Sequence, residues 1–98
     1  MSFIVHIRPE AETDLEEAAL WYEKQNPRLG DEFLDEVQGI FKILSENPYL
    51  YAVTHKNTRR ALVHRFPFGV YYLIDQNSII VVAVMHGSRH PKRWQKRT

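Results

Sequence analysis

Cysteine is absent from the 98 residues, so the chain can form neither a disulfide nor a thiolate metal site. That fits a reducing cytosol. Long apolar runs are missing too: the longest, residues 79–85, falls well short of the ~20 residues that span a bilayer. No basic stretch leads into an apolar segment at the N-terminus, so no signal peptide is expected. Acid is nearly absent from one half. Residues 49–98 hold nine Lys or Arg and a single acid, Asp75, a balance of +8. Residues 1–48 hold four basic and eleven acidic side chains, a balance of −7. The net charge of +1 conceals this split. A positive surface that meets something anionic is implied, either nucleic acid or an acidic protein.

What is present suffices for one core. Hydrophobic residues make up 44% of the chain and aromatics 12%, which suits one globular domain and not a disordered tail. Residues 3–8 alternate as a short strand. Pro9 suits the first position of a helix, where its missing N–H costs nothing. Ala11, Leu15, Ala18 and Tyr22 recur at helical spacing, with Ala19 and Trp21 widening the stripe. Asn26-Pro27 ends this helix. Leu29, Phe33, Val37, Ile40, Phe41 and Leu44 form the apolar face of a second helix, which Asn47-Pro48 stops. The short link makes an antiparallel hairpin, with Trp21 packed inside it and Gly39 marking close approach.

Residues 48–58 read as a loop. Strands are expected over 60–66, 70–75 and 79–86, joined by hairpin turns at "FPFG" and "DQNS". The order β-α-α-β-β-β predicts an α+β domain, a helical hairpin on a mainly antiparallel four-stranded sheet. "IIVVAVM" lacks polar alternation, so its strand is central and covered on both faces. The first strand then pairs beyond it, giving the order 2-3-4-1.

This layout, with "ALWYEKQNPRLGDEFLDEV", the "ENP" helix stop, "RRALVHRFPFGVYYLID" and a last strand ending in H-x-x-R-x-P-x-x-W, resembles the RelE/ParE superfamily of bacterial toxins. The resemblance covers nearly the whole chain. It implies a single toxin domain over residues 1–98 with a basic tail, residues 87–98. It further implies a cytoplasmic protein without cofactor, neutralised by a cognate antitoxin protein, in a dimer or a heterotetramer with it. RelE-like members cut mRNA on the ribosome. ParE-like members share the fold and inhibit DNA gyrase.

Cutting RNA through its own 2′-OH takes a base, an acid and cations around the phosphate. Arg89 stands where RelE-like nucleases carry a catalytic arginine. Phe68 stands near where they carry another, and the nearest aromatic after Arg89 is Trp94, whose indole is neither acid nor base. His64 and His86 are the substitutes available. If both links are tight turns, His64 faces Tyr71 and Tyr71 faces Val82, which leaves the two histidines on the order of 16 Å apart. One phosphate cannot be served across that distance.

The preferred reading is therefore a ParE-like toxin acting on gyrase. A ribosome-dependent endoribonuclease using Arg89, His86 and His64 is the alternative, and an inactive antitoxin-binding member the second. Arg59, Arg60, Arg65, Arg89, Lys92, Arg93 and Trp94 are the candidate target- or anion-binding face. The plain alternatives are that Arg59, Arg60 and Arg65 blunt an edge strand, and that Trp94 anchors the tail. Of Tyr71 and Tyr72, one belongs to the core and the other is free to stack on a base or an antitoxin side chain. The acidic helix face reads as solvated surface. His55, His64, His86 and His90 have no metal-ligand spacing, so no metal site is expected.

Overall fold

Proline and asparagine delimit the helices where the sequence placed them. In the computed structural model, which describes residues 2–87 and 91–98, α1 spans Pro9–Gln25 and α2 spans Leu29–Glu46. The start of α2 has no cap from its own preceding residue, Arg28, which adopts a left-handed backbone at φ 75°. The Glu23 carboxylate supplies it instead, accepting the N–H groups of Arg28 at 3.0 Å and Gly30 at 3.1 Å. An acid at a helix N-terminus also complements its dipole. A Cβ at position 30 would lie 2.5 Å from the Ala19 carbonyl oxygen, so the two helices touch there. The expected close approach at Gly39 is not found: a Cβ there would meet nothing within 4 Å. Gly39 lies on the wet side of α2.

The sheet has five strands, not four. β1 (Ile4–Ile7), β2 (Val53–His55), β3 (Thr58–Leu62), β4 (Phe68–Asp75) and β5 (Ser78–His86) lie in the order β1-β5-β4-β3-β2. β1 runs parallel to β5, and the other pairs are antiparallel. The expected order of the four longer strands is observed. The addition is β2, from residues read as loop. His55 pairs with Thr58 across Lys56-Asn57, and Lys56 takes the positive φ (52°) that such a tight turn requires.

The link between β3 and β4 also differs from expectation. The turn lies over residues 63–67, with Arg65 left-handed at φ 73°, and "FPFG" already begins the next strand. Leu62 rather than Phe66 thus opposes Gly69. The Val63 N–H then donates to the Phe68 carbonyl at 2.9 Å, so pairing resumes as soon as Pro67 is passed. Asp75 opposes Ser78 as expected, with Gln76 supplying the positive φ. A bulge between Tyr71 and Tyr72 sets Tyr71 against Ala83 instead of Val82.

β5 is covered on both faces. On one, Ile79, Val81 and Val84 pack with Phe33, Val37, Leu44 and Tyr72 beneath the helices. On the other, Val82, Ala83 and Met85 pack with Tyr71 and Trp94. Trp94 belongs to a short helix, α3 (Pro91–Gln95), that folds back over this second face. Trp21 is outside the hairpin, 58% exposed, with its ring edge-on to Tyr22. Ala18 and Tyr22 already occupy the inward positions on either side of it. No helix among the described residues is long and apolar enough to cross a membrane.

Candidate functional site

Alternation along β3 and β4 decides which cations share a surface. Arg60 opposes Tyr71, and Arg59 opposes Tyr72. The two arginines therefore project from opposite faces of the sheet. Arg59 turns toward the helix side, where it donates to the Tyr51 carbonyl and lies over the Tyr49 ring at 5.2 Å. Arg65 leaves the sheet altogether. It donates to Glu32 at 2.7 Å and lies 3.7 Å from Glu36, both on α2. The hydrogen bond that Arg65 donates to Glu32 holds its pKa above its usual value. Of the three, only Arg60 shares the face of Trp94, its side chain running over Gly69 beside the Tyr71 ring.

Tyr71 and Tyr72 are both fully buried, one in each cluster. The expectation that one stands free to stack on a base or a partner is corrected by Trp94. Its indole stacks on Tyr71 at 4.3 Å with an 18° interplanar angle and meets the edge of His55 at 5.8 Å. Trp94 is itself only 5% exposed, so it anchors the tail. The Tyr72 hydroxyl donates to the Pro48 carbonyl at 2.6 Å. Burial pushes its pKa up to about 12, against the opposing pull of Arg59. The Tyr71 hydroxyl and the Thr58 hydroxyl, on the other face, are buried with no partner among the described residues.

The shifted register also replaces the 16 Å estimate for the histidines. Val63 bonds to Phe68, and Phe68 opposes His86, so the turn bearing His64 and the end of β5 are two strand spacings apart, roughly 10 Å. Their rings still have different surroundings. His64 is 81% exposed and lies 3.6 Å from Glu36. His86 is edge-on to Phe68, and that ring packs against Phe33 at 5.2 Å in the core. Lys92 and Arg93 are exposed on α3, while Arg89 and His90 fall outside the described residues. No cluster of His, Asp or Glu able to hold a metal ion occurs among the described residues.

One constellation escaped the sequence reading. Asp14, on α1, is nearly buried. It accepts the Val84 N–H at 3.0 Å and two bonds from Arg97, at 2.7 and 3.3 Å. Arg97 also donates to the Val82 carbonyl at 3.0 Å, and Arg8 donates to the Arg97 carbonyl at 2.9 Å. β1 ends at Ile7, so the β5 edge beyond it would otherwise be bare. Two side chains supply the donor and acceptor that a longer β1 would have supplied. The signal was legible: Asp14 sits three residues after Ala11 and four before Ala18, on the buried stripe.

The family model for the ParE toxin of the type II toxin-antitoxin system parDE matches residues 5–91. The chain belongs to the ParE toxin family. Solved structures share its fold. A chain from the chromosomal ParDE system of P. aeruginosa superposes with a TM-score of 0.76 at 15% identity, covering 87% of this chain and 96% of that one. A chain of the RelBE2 toxin-antitoxin complex from Mycobacterium tuberculosis gives 0.60 at 21% identity, covering 88% and 99%. No curated protein matches the sequence. Within the family fold, the match ends at Pro91, so Trp94 and Arg97 lie beyond it.

Proposed function

We propose that this ParE-family toxin acts as ParE-like members do, by inhibiting DNA gyrase in the cytoplasm, and that a cognate antitoxin protein neutralises it. The observation that carries the reading is Phe68. A nuclease of the RelE type needs a cation near this point, and here an aromatic ring locks into the core beside Tyr22 and Phe33. Two further features support it. Trp94 covers the one tyrosine on the Arg60 face. His64 and His86 stand in separate surroundings, one in an exposed turn beside α2 and the other beside Phe68.

The deciding experiment pairs an assay on the purified protein with one in cells. Gyrase supercoiling is expected to fall in its presence, while mapped transcript ends after induction stay unchanged. Fresh cleavage sites in mRNA, with gyrase unaffected, would replace this reading with the endoribonuclease one. Growth arrest that neither assay explains would remove both.

For the antitoxin we propose an acidic segment lying along β3 on the Arg60 face. Its affinity should fall as salt rises, since part of the attraction is screened. Equal affinity at low and high salt would remove the electrostatic part. Arg89 keeps its proposed place in the working face: Arg89→Lys should weaken toxicity, because lysine lacks the planar fork that grips an oxyanion in two places.

A further inference from the structure

Two clefts lie where the acidic helix α1 meets the basic half of the molecule. A cleft of about 260 Å³ lies between α1 and the end of β5, with Asp14 and Glu17 on one wall and Val84 and Met85 on the other. A second, of about 380 Å³, lies between Trp21, Tyr22 and Pro67. Both are lined by Phe68 and His86, so the two clefts are neighbours along α1 and together make the α1 groove. Trp21 stands at its mouth, 58% exposed, and the neighbouring Leu20 is 57% exposed. A large aromatic left in water beside an apolar well is the kind of residue that anchors interfaces.

Charge selects the occupant. α1 carries six acidic side chains and one basic one. Glu17 lies four residues before Trp21, on the same helix face, and has no ion pair among the described residues. Asp14 is engaged by Arg97, and Arg93 lines only the end of the groove remote from Trp21. Of the six acids only Asp14 and Glu17 line the clefts, so Glu17 is the one that would repel an anionic segment seated there.

We propose that the α1 groove docks a cationic, amphipathic segment of a partner protein, with an apolar side chain in the Trp21–Pro67–Phe68 well and a Lys or Arg against Glu17. This surface is distinct from the Arg60 face assigned to an acidic segment, and it stands whether or not gyrase is the target. A second copy of this chain, offering its own basic half, is the competing occupant.

The test uses the full chain and two short synthetic peptides without tryptophan. They share leucine anchors at helical spacing, and one carries lysines where the other carries glutamates. Trp94 is buried, so acrylamide quenching of the intrinsic fluorescence reports chiefly on Trp21. The lysine peptide should shield Trp21 and shift its emission to the blue. Calorimetry should show it binding about tenfold or more tighter than the glutamate peptide. Glu17→Lys and Trp21→Ala should each weaken it about tenfold, with unchanged melting temperatures because both side chains are exposed. Equal binding of the two peptides, no binding of either, or indifference to both substitutions would overturn the proposal. So would protection of Trp21 that rises with protein concentration alone, in step with association seen by sedimentation.

Discussion

The two faces of the sheet are covered by different means. Beneath the helices, Phe33 meets Tyr22, Phe66 and Phe68 at ring distances of 5.2–5.3 Å, and the polar atom of Tyr72 has a partner. On the other face a single five-residue helix supplies one indole, and the Tyr71 hydroxyl beneath it has no partner among the described residues. The first face is built to be permanent. The second depends on one side chain and on the Asp14–Arg97 strap beyond it, which makes it the part of the fold that opens at least cost.

The largest expected effect falls on the first face. Phe33→Ala should cost about 4 kcal/mol and lower the unfolding transition of the whole domain, as denaturant titration would read. Trp94→Ala should cost about 3 kcal/mol, at the lower end for a buried aromatic. Its distinguishing mark is hydrogen exchange: protection should drop first around Tyr71 and Val82, with α1 and α2 little changed.

The tyrosines then sharpen the contrast in opposite directions. Tyr72→Phe strands the Pro48 carbonyl and should cost about 1–2 kcal/mol, whereas Tyr71→Phe removes a hydroxyl with no partner among the described residues and should stabilise by about 1 kcal/mol. If both substitutions destabilise equally, the difference between the faces is not one of polar satisfaction. The Tyr72 pKa adds a pH signature. The folded protein keeps this phenol neutral toward about 12, while the unfolded chain ionises it near the ordinary tyrosine value of 10.0. Its contribution is therefore complete below pH 10 and is lost as pH rises toward 12. Denaturation midpoints should fall less steeply over that range in Tyr72→Phe than in the parent. The smallest effect is Gly39→Ala, expected to stabilise by up to ~1 kcal/mol because nothing crowds the site.

Local chemistry carried most of the fold into the sequence. The two Asn-Pro pairs, the apolar stripe of α2 and the unbroken run in β5 each act over a few residues, and each lies where it was read. The misreadings share a cause. Whether a turn sits at residues 63–67 or at "FPFG" depends on which positive-φ residue the whole sheet accepts, and Arg65 does not advertise that role. β2 is short because only three residues pair, too few for an alternation to register. At the candidate site the residue types were legible and their grouping was not. Arg59, Arg60 and Arg65 lie close in sequence, yet they go to the helix side, the open face and α2 respectively. Glu32 and Glu36 read as mere solvated surface because their partner is some thirty residues away.

The position of β5 has a consequence for synthesis. It is the last of the five strands to leave the ribosome, and it lies between β1 and β4. Until residues 78–81 exist, β1 has no strand to pair with, and the helices have only part of a floor. The β2–β3–β4 meander and the helical hairpin can form as they emerge, but the step that joins them must wait for the last strand. Non-local closure of this kind is slow. A nascent toxin thus passes through a stage in which its helices are made and their inner faces are still bare, open to whatever binds them first.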